Sequence, residues 1–234
     1  MKKLLRWAAV LALTAVLLVG GLLVGAGYTM YRDALDAQSL SDKVAEIQSD
    51  PSYTPLSELP ETYIDAVVAA EDHRFWHHCG IDVIAIGRAA WNNLLSGSFA
   101  EGGSTITQQL AKNMYFTQDK VLERKIAEVF LAFRLERAYS KEEILELYVN
   151  SIYYGDGYYC VRDASLGYFG KEPQDMTDDE CTLLAGIPNA PSAYSPSASP
   201  VLARQRQQYV IRQMERCGYL SGQEADSLLA AAHG

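Results

Sequence analysis

Positive charge is scarce in this 234-residue chain: 20 Lys and Arg stand against 29 Asp and Glu, a formal net charge of -9. Nucleic-acid binders usually carry the opposite balance, so no nucleic-acid partner is expected. Cysteine is sparse as well. Four residues, Cys79, Cys160, Cys181 and Cys217, are too few and too spread out for a disulfide-built miniprotein. Glycine and proline, 17 and eight in number, follow no period, which excludes collagen-like and low-complexity chains. There is no internal repeat, no convincing alternation of strand residues and no His-Glu-x-x-His pattern. What remains is 49% hydrophobic and 21% charged, with a mean hydropathy of -0.08. That is ordinary globular composition, and the length allows one domain or at most two small ones.

Charge is missing altogether from Trp7 to Tyr31, 25 residues rich in Leu, Val and Ala. As a helix this run reaches roughly 37 Å, enough to cross a ~30 Å hydrocarbon core. A cleaved signal peptide is the competing reading, but its apolar region would be ~7–15 residues long. Lys2, Lys3 and Arg6 precede the run, while Arg32 is followed by Asp33 and Asp36. The positive-inside rule then keeps the N-terminus in the cytoplasm and sends the rest out, as a single-pass protein of the cell membrane. Beyond residue 32, 16 basic residues face 29 acidic ones, so the exported part carries -13. Disulfides are permitted in that compartment, though the sequence does not pair the cysteines.

The chain divides into a tip and anchor at 1–32, a polar juxtamembrane linker at 33–56, and one mainly α domain at 57–234. Ile64, Val67, Val68 and Glu71 recur at helical spacing. Further helices are expected over about 82–95, 105–115, 120–138 and 201–216. Two capping boxes, Ser140 to Glu143 and Ser221 to Glu224, open others. Between them, Ser98 to Ser104 is a mobile loop by its composition, and Pro188 to Pro200 holds four of the eight prolines.

Several residues could carry chemistry. Glu71 ends an apolar stripe, where desolvation would raise its pKa toward the range useful for proton transfer. A helix-end Glu turned to solvent fits the same spacing. His73, His77 and His78 invite a zinc reading, but the remaining His is far off at His233, and no metal ligands are assigned. Thr105, Gln108, Gln109 and Lys112 share one helix face, opposite Ile106, Leu110 and Met114. Lys120, Arg124 and Glu128 share another stripe. With Lys112 and Lys125 they form a basic cluster in an acidic domain, suited to a compact anion such as a pyrophosphate.

Taken in order, these residues resemble the peptidoglycan glycosyltransferases, family 51 of the glycosyltransferases. The blocks are Glu71-Asp72-x-x-Phe75-x-x-His78-x-Gly80, then Gly103-Ser104-Thr105-x-Thr107-Gln108-Gln109 with Lys112-Asn113. Arg124-Lys125-x-x-Glu128 and Lys141-x-x-Ile144-Leu145-x-x-Tyr148-x-Asn150 follow. Gly155-Asp156, Tyr168-Phe169-Gly170 and Pro188-Asn189-x-Pro191-Ser192-x-Tyr194-x-Pro196 complete the series. Each block is weak alone, but their order behind an anchor is specific.

The resemblance implies a lysozyme-like helical fold that polymerises lipid II into β-1,4-linked glycan, releasing undecaprenyl pyrophosphate with inversion. No room remains after Pro200 for a transpeptidase domain, so the monofunctional kind is expected. Glu71 matches the catalytic glutamate, a general base on the acceptor 4-hydroxyl, and Glu128 the second glutamate beside the donor pyrophosphate. Lys112 and Arg124, with Lys120 where the family often has Arg, would pair with phosphate oxygens. Asp72, Phe75, Ser104, Thr105, Gln108, Gln109, Asn113 and Asn189 complete the expected substrate-binding set. No cofactor is required, although a divalent cation (Mg or Mn) beside the pyrophosphate is compatible with its oxygens. The expected partners are lipid II, the growing glycan, membrane lipid and other cell-wall synthesis proteins. An apolar surface near Trp91, Leu94, Leu95 and Phe99 could meet the bilayer, or pack in the core. Cys79 and Cys160 flank family motifs, and a bond between them would hold the loop that carries Glu71. Near Arg204 to Arg212 the match is loose, and no role is carried over.

Overall fold

The structure is a computed structural model that describes residues 2–96, 102–117 and 122–232. Lys120, Phe99, His233 and most of the Ser98–Ser104 loop lie outside the described residues. Twelve α-helices and four single-turn 3-10 helices occur among the described residues, and no strand. α1 (Lys2–Ala37) and α2 (Leu40–Gln48) lead into α3 (Glu61–Glu71) and α4 (Val83–Ser96). Next come α5 (Ile106–Tyr115), α6 (Leu122–Ala138), α7 (Lys141–Val149) and α8 (Val161–Phe169). α9 (Asp178–Gly186), α10 (Pro191–Tyr194), α11 (Pro200–Cys217) and α12 (Gly222–Ala231) close the chain.

Local sequence sets most helix starts. Full capping boxes open α5, α7, α9 and α12, through Thr105, Ser140, Thr177 and Ser221. In each, the hydroxyl accepts an orphan N–H, while the Glu or Gln three residues on accepts the cap residue's own N–H. α11 starts on a Ser199 cap with Pro200 in its first turn, and ends at Gly218 with φ 81°.

α1 is long and apolar enough to cross a membrane, and its apolar span buries nothing inside the protein. Its last turns do. A Cβ on Gly27 would lie 2.6 Å from Ile126 Cβ and 2.9 Å from the Glu123 carbonyl oxygen, so α1 lies on α6 only because glycine is there. The rings of Tyr28 and Tyr31 meet Phe130 at 5.3 and 5.8 Å. Arg124 and Glu128 sit two residues from Ile126 and Phe130, hence roughly 200° round the helix. α1 therefore covers one face of α6, and Arg124 and Glu128 lie on the other.

Residues 33–56, expected as a linker, are built into the domain. α1 continues to Ala37, and Leu40 and Val44 of α2 are buried in the main core. Thr54 and Asn150 exchange two 2.8 Å hydrogen bonds, while Tyr53 and the Leu56 N–H both donate to Glu146. The end of this polar segment is thus hydrogen-bonded to α7 and the residue that follows it.

α3 is central, packed against α9 and α11, while α5 lies between α6 and α7. Tyr63, Val67 and Val68 of α3 share the core with Leu110, Leu131, Leu145, Leu184 and Val210. All four cysteines are free, so no bond joins Cys79 to Cys160. The Cys160 thiol caps α8 instead, accepting from the Asp163 N–H at 3.4 Å.

Gly80 holds the loop after α3. Its φ is 93°, and a Cβ there would lie 3.2 Å from the Ala132 carbonyl. Its own carbonyl accepts from Thr105 Oγ1 at 2.7 Å, tying the loop to α5. Gly80→Ala is expected to lower stability by about 1–3 kcal/mol, read as a drop in the thermal unfolding midpoint. An unchanged midpoint would mean that the loop does not depend on this backbone conformation.

Candidate active site

Glu71 is the last residue of α3, and its side chain is 6% exposed, so it does not turn out to solvent. Its Oε2 accepts from Gln109 Nε2 at 2.8 Å, and its Oε1 faces the Arg206 guanidinium at 3.5 Å. Burial raises the Glu71 pKa, and Gln109, Arg206 and Lys112 only partly oppose it. The result is a desolvated carboxylate that holds its proton to higher pH than an ordinary glutamate. Arg206 is fixed in turn between the rings of Tyr209 and Tyr194, with its guanidinium 4.5 and 5.9 Å from their centres.

Beside it, Ser104, Gln108, Gln109, Lys112, Arg124, Lys125 and Glu128 line a recess of about 180 Å³. Three cations face one carboxylate there. Glu128 is 1% exposed and accepts from Arg124 and, at 2.8 Å, from Lys125. Lys125 also donates to Ser104 at 2.6 Å. Burial lowers the Lys112 pKa, with Glu128 pulling the other way. Gln109 belongs to both places, since it lines the recess and binds Glu71. The buried carboxylate of Glu71 and the cationic recess therefore share one wall.

Other expected site residues fall elsewhere. Phe75 is fully enclosed in the core, 4.3 Å beneath the Lys141 ammonium, and reaches no open groove. Asp72 is buried, and its Oδ2 lies 2.8 Å from His78 Nε2 and 3.1 Å from the Ile106 N–H. It anchors the Glu71 loop to the start of α5 rather than facing a ligand. His78 Nδ1 accepts from the Gly80 N–H at 3.2 Å, so Nε2 carries the proton given to Asp72, and neither nitrogen offers a lone pair to a metal. Thr105 and Gln108 are buried as the α5 capping box, although Gln108 still borders the recess. The expected polar face of α5 is thus divided: its first turn serves the fold, and Gln109 and Lys112 serve the groove. Asn113 and Asn189 are exposed and do not line the recess.

Sequence reasoning missed Arg206 and Tyr148. Arg206 lies 135 residues from Glu71, and no local pattern joins them. Tyr148, whose hydroxyl reaches Gln109 Oε1 at 3.3 Å, stands in the Lys141–Asn150 block, but its spacing along the chain gives no sign of this contact. Lys125 was visible in the basic cluster, and its link to Ser104 was not. A larger recess, about 360 Å³ beside Tyr53, Glu58, Arg162 and Glu172, has Arg162 paired to Glu172 at 2.7 Å. Glu71 and the cationic recess lie outside its lining.

A buried acid next to a cationic recess suits an enzyme that transfers a group away from an anionic carrier. Residues 39–215 match the transglycosylase family. The chain belongs to that family, the peptidoglycan glycosyltransferases. It is 44% identical over 224 residues, 95% of either chain, to a protein of Cupriavidus necator named "Putative transglycosylase". It is 47% identical over 172 residues to penicillin-binding protein 1A of Aquifex aeolicus, and 45% over 186 residues to penicillin-binding protein 1F of Bacillus subtilis. Those two matches take in 74% and 79% of this chain but 24% and 26% of the relatives, so the chain spans about a quarter of their length. The crystal structure of penicillin-binding protein 1A from Haemophilus influenzae is similar at 24% identity with a TM-score of 0.46, over 76% of this chain and 17% of that one.

Proposed function

We propose that this enzyme polymerises lipid II into β-1,4-linked glycan by inverting transfer, with Glu71 as general base. Glu71 takes the proton of the acceptor 4-hydroxyl as that oxygen attacks the anomeric carbon of the donor. The bond from that carbon to the pyrophosphate oxygen breaks, and undecaprenyl pyrophosphate leaves with the electron pair. Charge grows on the leaving group, so Lys112, Arg124 and Lys125 stabilise the transition state more than the ground state. The observation that carries this reading is the wall shared by Glu71 and the cationic recess through Gln109.

Glu128 orders the recess rather than moving a proton, because Arg124 and Lys125 hold its two oxygens. The same occupancy argues against Glu128 as a ligand to a divalent ion. It also argues against a glycan-cleaving enzyme of the two-carboxylate type, which needs its second carboxylate free for the sugar.

The donor lipid comes from a membrane. The anchor α1 supplies one contact. α4 supplies another, since Val83, Ile84, Trp91, Leu94 and Leu95 are each more than 60% exposed, and we place that face in the bilayer surface. Lys2, Lys3 and Arg6 put the N-terminus in the cytoplasm and the domain outside.

The test uses full-length protein in detergent with labelled lipid II. The expected result is polymer accompanied by free undecaprenyl pyrophosphate. Cleavage of preformed glycan with no polymer would overturn the reading.

A further inference from the structure

Glu71 and its amide partner are held by a third group. A glutamine side chain presents either a donor or an acceptor, depending on which way its amide is turned. Only one way suits an ionised Glu71. Here Gln109 gives Nε2 to Glu71 at 2.8 Å, and its Oε1 receives the Tyr148 hydroxyl at 3.3 Å. Tyr148 belongs to α7, is 0% exposed, and offers the amide an O–H. Burial pushes that phenol well above its ordinary value, so it remains a donor throughout the working pH range.

We infer that Tyr148 is a positioning residue, whose hydroxyl fixes the Gln109 amide so that its N–H points at Glu71. The inference rests on Glu71 acting as the base. Without the hydroxyl, the amide is free to turn and set Oε1 against the carboxylate. Two acceptors then face each other, and the pair is relieved when Glu71 takes a proton. The other charged groups facing Glu71 do not replace that bond. Arg206 of α11 reaches Oε1 rather than Oε2, Lys112 of α5 acts through space, and neighbouring Asp72 opposes the ionised form.

The experiment measures kcat/KM for lipid II polymerisation against pH in wild type, Tyr148→Phe, Gln109→Ala and the double variant. Tyr148→Phe is expected to move the acid limb up by about one pH unit, a tenfold loss on that limb, with the high-pH plateau retained. In the Gln109→Ala background, where no amide remains to orient, Tyr148→Phe is expected to add no further shift. The ¹³C chemical shift of the Glu71 carboxyl, titrated in detergent, is expected to move in the same direction without turnover. A uniform loss at all pH values would overturn the inference. So would an equal shift in the Gln109→Ala background, or a Tyr148→Phe protein that fails to fold, because each makes Tyr148 merely structural. Full activity in Glu71→Gln would instead overturn the reading of Glu71 as base, so the two failures are separable.

Discussion

Glu71→Gln is expected to reduce lipid II polymerisation by about 10²–10⁴-fold, the usual contribution of a positioned general base. The substitution keeps the shape and an acceptor for Gln109 but removes the site for the proton. In wild type, kcat/KM should rise as Glu71 loses its proton, and the rise should be centred above the ordinary glutamate value because burial lifts that pKa. The variant should lose this acid limb. Stability should move the other way. A glutamate with a raised folded-state pKa contributes stability that is full below its unfolded pKa and is lost as pH rises through the folded value. Above its folded-state pKa the ionised Glu71 is therefore a net burden on the fold, and Glu71→Gln should unfold no earlier than wild type. Inactive protein with an undiminished thermal midpoint is the expected pair of results. Polymer at the wild-type rate would remove Glu71 from the chemistry.

Glu128→Gln is expected to fail differently. Glu128 is the counter-charge that places Arg124 and Lys125 on the recess. Breaking a buried ion pair costs about 3–5 kcal/mol, and the lower end applies here because Lys125 is 42% exposed and keeps some water. The thermal midpoint should fall. On the proposed reading three cations would still face the pyrophosphate, so KM should change little. Displacing them by an ångström or so should lower kcat by about 10²-fold. The acid limb of the pH profile should stay where it is. If that limb vanished in Glu128→Gln and persisted in Glu71→Gln, the two roles would be exchanged.

The contrast between these glutamates shows which parts of the site local spacing reveals. Arg124, Lys125 and Glu128 lie within one helical turn or so, and helical geometry brings them together whatever surrounds them. Lys112 and Gln109 are read the same way on α5. Phe75 and Asp72 belong to the same motif as Glu71, yet one fills the core and the other ties down the loop. Sequence spacing does not distinguish a residue that touches substrate from one that holds its neighbour in place. Residues 33–56 raise a related point: the partners of Thr54 and Leu56, Asn150 and Glu146, lie some 90 residues away, where no spacing rule reaches.

Most helix positions, the Ser140 and Ser221 caps, the apolar N-terminal helix and the basic residues of α5 and α6 could be read from the chain alone, because each depends on residues within a few turns of one another. The environment of Glu71 could not. Its desolvation requires α3, α5, α7 and α11 to converge. Its partners Gln109 and Arg206 lie 38 and 135 residues along the chain, and Tyr148 stands behind Gln109. A carboxylate's pKa depends on what excludes water from it and which charges face it, and in this protein packing brings those groups together from distant parts of the chain.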